Sequence, residues 1–389
     1  MQKFYIRVLA ISLTGLMVCA NVNSVYAINW GELGIATRKL VKPTAKSTEE
    51  LFFKSKESSH DIKIPPAAFL QPARLYNEKL KNNLGNPQTL NIDDTNNAIT
   101  IGNSKNESNN QNVNKDYKIK FNYQVKKGAI YKLKASGRLS ESMTISGSTK
   151  ALEEKNTTVS GKLEGTITVT EVDDMNREKI ISLRVSKCTM SKNDDRNETV
   201  ALAKGTRVIV RLQDPDKMFL INNKKVSSNI KKLLELFFSP IDNNVTDDDI
   251  YGTKERKKIG DSWNVNRAMA AKVLSKDGVV IQEDSIKGST KLENITTVNG
   301  KPCLYITGKF EANKINLPLP SDYLIDKTVL SGLFATELPV DTTTGSLSDN
   351  TYVSILVEGR GRPNASDANI AMIYKTTQAL QRSFTYIKP

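Results

Sequence analysis

Histidine is almost absent from this chain. Its 389 residues include a single one, His60, and only three cysteines. Those counts exclude a multi-histidine metal centre, a cysteine-rich zinc module and a disulfide-dense scaffold. A Ser-His-Asp triad would have to be built on His60. Hydrophobic residues make up 38% and aromatics 6%. That is below the globular norm of about 45–50%, though the norm also counts glycine. A core can form, but not over the whole length. No P-loop, Rossmann, zincin or nucleophile-elbow pattern occurs. After the N-terminus, no run is long and apolar enough for a spanning helix of about 20 residues.

What is present begins with an export address. Lys3 and Arg7 precede a mostly apolar run from Val8 to Ala20, and Val25-Tyr26-Ala27 follows a polar stretch. A basic start, a short apolar run and small residues at the −3 and −1 positions form a secretory signal, with cleavage expected after Ala27. A retained anchor is the alternative, but the run is short for a span. Lipidation at Cys19 is a further alternative, and bulky Val18 before it argues against that. The expected mature protein is exported, periplasmic or extracellular, without a transmembrane segment.

The formal charge is +14. Losing two bases and no acids with the signal leaves +12. Such a balance favours anionic partners. Many lysines alternate with apolar residues, as in Lys118-Ile119-Lys120 and Tyr131-Lys132-Leu133-Lys134. That pattern also describes a solvated sheet face. No nucleic-acid-binding motif accompanies the charge. Cys188 and Cys303 remain after processing. They are either a disulfide, which an exported compartment permits, or two buried thiols on separate strands.

Residues 28–115 read as a flexible polar extension. Ile64-Pro65-Pro66 blocks regular structure, Phe69 to Leu84 has the spacing of a short helix, and Asn86 to Asn114 offers too little apolar surface to offset ordering. Order begins near Asp116. Period-two alternation marks strands at Lys118–Val125, Ala129–Leu133, Leu139–Ser146, Gly161–Val172, Ile180–Val185 and Thr206–Leu212. One helix interrupts them. Residues 226–238 place Ile230, Leu233, Leu234 and Phe237 on one face, with Ser227 or Ser228 as cap and Pro240 as stop. The face covers a sheet, or it forms a lid over an apolar ligand. After a polar loop at Asp242–Gly252, strand markers resume. They include Trp263, Val273, Val279–Ile281, Leu292–Val298, Leu304–Ile306, Phe310–Ile315, Leu333–Leu338 and Tyr352–Glu358. Residues 368–387 read as a hairpin, with a helix over 370–380 as the alternative.

The two halves echo each other. Gly128-x-x-Tyr131-x-Leu133 matches Gly260-x-x-Trp263-x-Val265, each after a pair of lysines. Lys162-Leu163-Glu164 recurs as Lys291-Leu292-Glu293. Matching order at a near-constant offset suggests two copies of one antiparallel unit, 116–240 and 241–389.

Gly260-Asp261-Ser262-Trp263 and the Asp341–Gly345 turn resemble motifs of exported bacterial proteins of unknown function with duplicated β-rich domains. The resemblance covers about residues 117–380. It implies curved antiparallel sheets, loosely similar to lipoprotein-carrier half-barrels, and brings no catalytic residues. The expected fold is mainly β: two tandem curved antiparallel units, one amphipathic packing helix and a flexible N-terminal arm.

Asp242 with Asp247-Asp248-Asp249 lacks the spacing of a calcium loop and reads as a solvated acidic loop. Gly359-Arg360-Gly361-Arg362 reads as a basic turn. No metal or cofactor is expected. The resulting expectation is a non-enzymatic binding or scaffolding protein of the bacterial envelope, meeting an anionic surface or a protein partner. An alternative is a carrier of a lipid or other apolar ligand, lined by Ile230, Leu233, Leu234 and Phe237. A carboxylate-dependent hydrolase is the second alternative, with no catalytic residue to nominate.

Overall fold

Alternating side chains from residue 130 onward build one very large antiparallel sheet. The structure, a computed structural model, describes residues 115–146, 151–193, 197–214, 218–241, 244–275, 279–317, 323–361 and 370–388, and the backbone of 88–92 and 99–103. The signal segment, Cys19, His60 and the short helix expected at Phe69–Leu84 lie outside the described residues.

The first described strands, β1 (Gln88–Ile92) and β2 (Ile99–Asn103), pair antiparallel with each other. They belong to a separate unit, Tyr26–Asn103. The stretch read as flexible from its composition thus contains a strand pair.

The main sheet starts with β3 (Ile130–Ser146), β4 (Ala151–Val172) and β5 (Glu178–Lys192). The shorter β6 (Thr199–Val200), β7 (Arg207–Arg211), β8 (Phe219–Ile221) and β9 (Lys224–Lys225) follow. After the helical segment come β10 (Ser262–Asn264), β11 (Ile286–Val298) and β12 (Lys301–Asn313). The chain closes with β13 (Tyr323–Pro339), β14 (Ser348–Gly361) and β15 (Ile370–Lys388). The spatial order is β10-β11-β12-β13-β14-β15-β3-β4-β5-β7-β8-β9, with β6 beside β5. Residues 116–240 and 241–389 each contribute one meander to this single sheet, and the pairing of β15 with β3 joins them.

Residues 370–388 form one strand rather than a hairpin or helix. Their alternation continues from Met372 to Arg382 without a break, and both edges are paired, to β14 and β3. Helix α1 (Ser228–Phe237) forms where expected. Two further helices were not expected. α2 (Asp247–Tyr251) lies within the supposed acidic loop, and α3 (Arg267–Leu274) contains Val273. Both have side-chain caps. Thr246 and Asp249 form a reciprocal capping box, and Asn266 Oδ1 accepts from Met269 N at 3.3 Å. Val279–Ile281 contributes only an isolated bridge, between Val280 and Asn316.

The alternation of residues 117–125 is correct, but the segment joins no strand ladder. Tyr117, Ile119, Phe121 and Val125 are buried. Tyr117 bridges Lys257. Phe121 N donates to Asp248 Oδ1 at 2.6 Å, and Asn122 N to Asp248 Oδ2 at 3.1 Å. A carboxylate at the start of α2 takes the place of a neighbouring strand.

Candidate functional site

Helix α1 carries an apolar stripe, and what that stripe faces decides between a lid and a packing layer. Its seat is made by two glycines. Gly137 on β3 and Gly161 on β4 face each other across the ladder. Neither has a Cβ to hold the helix away. A Cβ added at Gly137 would lie 3.3 Å from Leu236 Cβ and 3.5 Å from Phe237 Cε1. One added at Gly161 would collide with Leu233 Cδ1 and lie 3.2 Å from Phe237 Cζ. Leu233, Leu234, Leu236 and Phe237 are buried, while Ile230 is only half-buried. Close-packed side chains occupy the helix–sheet interface. Leu236 was missed from sequence, although its i+3 spacing from Leu233 marks it.

The far end of α1 is fastened by a buried ion pair. Asp349 on β14 and Arg382 on β15 are directly opposite in register. Arg382 Nε and Nη2 donate to the two Asp349 oxygens at 2.9 and 3.0 Å. Arg382 Nη1 also donates to Phe237 O at 3.2 Å, satisfying a carbonyl in the last turn of α1.

Beyond that end lies a cavity of about 70 Å³. Phe121, Phe237 and Phe384 form apolar walls, and Glu178, Arg382 and Ser239 are among the polar ones. The Tyr131 hydroxyl hydrogen-bonds to Glu178, and the Tyr386 hydroxyl to that of Tyr123 at 3.1 Å. Desolvation pushes the Glu178 carboxyl above its ordinary range, against the opposing pull of Tyr131 and Arg382. Burial also raises the Tyr131 and Tyr386 hydroxyls. The Ser239 hydroxyl is buried and has no hydrogen-bond partner among the described residues. The space is large enough for water, which needs at least about 10–15 Å³. Pockets for drug-sized ligands are several times larger, about 300–1,000 Å³.

The other sequence candidates have structural roles. Asp248 anchors residues 121 and 122, and Asp249 Oδ2 accepts from Thr246 N at 2.7 Å. Asp242 lies outside the described residues. Among the described residues, no group of three or more His, Cys, Asp or Glu side chains is placed to hold a metal ion. Cys188 and Cys303 are free and buried, which corrects the disulfide alternative. They lie on β5 and β12, separated by β13, β14, β15, β3 and β4 in the sheet. Cys188 pairs with inward-facing Leu163, whereas Cys303 is one residue out of phase with inward-facing Leu304 and Ile306. A disulfide needs Cα atoms within about 7 Å. Burial pushes both thiols up to about 11. Gly359, Arg360 and Gly361 are the last residues of β14 rather than part of a turn, and Arg360 pairs with Asp326 at 3.0 Å.

The echoing glycines do adopt the same turn. Gly128 and Gly260 have φ of +89° and +93°. Gly128 N donates to Val169 O at 2.8 Å, and Gly260 N to Leu292 O at 2.7 Å. Leu292 thus holds the position of Val169, six residues from the Leu163 that the sequence match paired with it.

No protein-family model matches the chain, and no curated protein matches it in sequence. Among solved structures, it is similar to one described as lipid–protein interactions in lipovitellin, at 7% identity and a TM-score of 0.28. That likeness covers 67% of this chain but 26% of the other, so the chain spans about a quarter of lipovitellin's length. The outer membrane protein OprG from Pseudomonas aeruginosa is 8% identical with a TM-score of 0.16, covering 68% of this chain and 99% of that one. An outer membrane channel from Pseudomonas putida F1 is also 8% identical, with a TM-score of 0.14, covering 68% and 97%. The class defined by the fold is a mainly β protein built on one large antiparallel sheet. Among the described residues, no helix is long and apolar enough to cross a membrane.

Proposed function

We propose that this is an exported, non-enzymatic binding or scaffolding protein of the bacterial envelope that works through its sheet surface. The observation supporting a surface role over a carrier role is the seat of α1. Leu233, Leu236 and Phe237 fill the space over Gly137 and Gly161, where a lid's ligand would have to sit. A lid would need a low-stability contact. This one is close-packed, and the last turn of α1 is fastened to a buried ion pair. Export rests on the signal-like N-terminus. The basic balance and the alternating lysines support an anionic partner.

Native mass spectrometry of the chain isolated from the exported fraction tests the reading. The expected mass is that of a chain beginning at Ile28, with no stoichiometric adduct. A lipid adduct that is lost on unfolding would overturn it in favour of a carrier, and a mass retaining residues 1–27 would overturn processing at Ala27.

A further inference from the structure

The outward face of the sheet carries an arrangement that folding does not require. Arg184 on β5 and Arg207 on β7 are directly opposite each other, and both are exposed. Like charges in that position are destabilising. The same register row continues through Thr166 on β4 to Lys132 on β3 and Thr385 on β15. The neighbouring row carries Lys134, Glu164 and Lys187. Lys132, Lys134 and Lys187 are exposed too. Five cations therefore share one face with two carboxylates: Glu164 lies between Lys134 and Lys187, and Glu198, ion-paired with Lys162, also acts on Lys187. None of the five forms an ion pair among the described residues. At about 4.8 Å per strand, the row from Lys132 to Arg207 spans roughly 14 Å. Arg207 is held in place, its Nε donating to Ser182 Oγ at 2.8 Å.

Two large apolar side chains flank these cations. Ile387 on β15 is 56% exposed and Val200 on β6 is 75% exposed. Val200 pairs with Thr189, which pairs with Lys162, so it lies on the outward side. Ile387 is two residues beyond outward-facing Thr385, next to the β15–β3 bulge.

We infer that the outward face of β15-β3-β4-β5-β7 docks on an anionic phospholipid surface, with Arg184 and Arg207 gripping headgroup phosphates. This rests on the surface reading above and names its partner. Guanidinium pairs match phosphate oxygens in bidentate geometry. A phosphate between the two arginines converts their repulsion into shared attraction. A sheet face that is broad along its strands fits an extended bilayer surface better than a compact ligand, and the exposed Ile387 and Val200 suit its interfacial layer.

The test is co-sedimentation of the exported chain with vesicles of equal parts phosphatidylglycerol and phosphatidylcholine, against phosphatidylcholine alone. Binding to the anionic vesicles only is expected, weakening as salt rises. Each basic residue near an anionic surface is worth roughly fivefold in affinity. Arg184→Gln with Arg207→Gln should therefore weaken binding roughly 25-fold. Both sites are exposed and their like charges repel, so the circular dichroism spectrum should hold and the melting temperature should hold or rise. Lys224→Gln with Lys225→Gln, an equal charge change on β9, is the control and should bind nearly as the parent does. Equal loss in both pairs, or no anionic binding by the parent, overturns the inference. In that case a clean adduct-free mass would still leave the broader surface reading standing. A lipid adduct in the mass spectrum would break that reading regardless of the vesicle result.

Discussion

One row of the inner sheet face runs Gly308, Phe334, Thr351, Leu380, Gly137, Gly161 and Met190, each opposite the next. It lacks side chains in two places, and they are filled differently. At Gly308 the gap is one residue wide, and the ring of its neighbour Phe334 lies over it. That ring packs against Tyr251 of α2, with centroids 5.0 Å apart, and against Phe121, at 6.1 Å. At Gly137 and Gly161 the gap is two strands wide. There a second layer, α1, supplies Leu233, Leu236 and Phe237. A single missing side chain is repaired within the sheet, whereas two adjacent ones call for a helix. The glycine pair thus explains why an otherwise β-patterned chain carries an amphipathic helix in its middle.

The largest effect should come from the ion pair beside that row. Asp349→Ala leaves the Arg382 charge buried and uncompensated, and should cost about 3–5 kcal/mol. Urea unfolding measures it, and a loss under about 1 kcal/mol would mean that Arg382 finds water instead. An exposed pair such as Lys162–Glu198 should matter far less.

The two gaps can then be separated by double-mutant cycles. Gly161→Ala overfills its site and should cost about 1–3 kcal/mol. Leu233→Ala removes the atom in the way, so the double variant should recover part of that loss. Gly308→Ala should show no such relief from Leu233→Ala, because its obstacle is Phe334. Equal coupling in both cycles would contradict the assignment of α1 to one gap alone.

The cavity beside α1 predicts a pH signature. The folded state holds the Glu178 proton more tightly than the unfolded chain does, because desolvation raises its carboxyl. Between the ordinary glutamate value, about 4.3, and the raised one, the native state therefore binds more protons. Glu178's contribution to stability falls as pH rises through that window. Glu178→Gln should remove the fall, leaving the variant relatively more stable at neutral pH and gaining nothing below pH 4. Thermal melts across that range measure it. Asp173 works in the opposite sense. Desolvation pushes its carboxyl up, but the Arg177 hydrogen bonds and charge outweigh that and hold it below its usual value. Its contribution is present above about pH 4 and is lost on acidification.

The smallest effects belong to the paired turns. Gly128 and Gly260 sit at positive φ with open space around them. Alanine at either should cost about 1 kcal/mol, from backbone strain alone. Unequal costs would show that the two turns differ more than their hydrogen bonds do.

Much of this architecture was legible in the sequence, because period two and period 3.6 are local signals. The alternation around Ile167, Leu183 and Val210 gave strands, and Leu233, Leu234 and Phe237 gave α1. Pairing was not legible. Nothing near Leu380 says that it will lie opposite Gly137, 243 residues earlier in the chain. Residues 117–125 alternate like a strand, yet their hydrogen bonds run to Lys257, Asn176 and the Asp248 side chain, and only a folded chain brings those groups together. α3 was hidden because Val273 reads as a strand former until the Asn266 cap is recognised. The cavity escaped for a similar reason. Tyr131, Glu178 and Arg382 lie on three strands far apart in sequence, and desolvation leaves no compositional trace.

The central claim is that α1 is a permanent layer of the core. Hydrogen exchange of the native protein, read by mass spectrometry, tests it most directly. The amides in the second half of α1, from Leu233 to Phe237, should be as protected as those of β3 and β4, opening only with global unfolding. Exchange of α1 well ahead of those strands would identify a mobile lid and contradict the account.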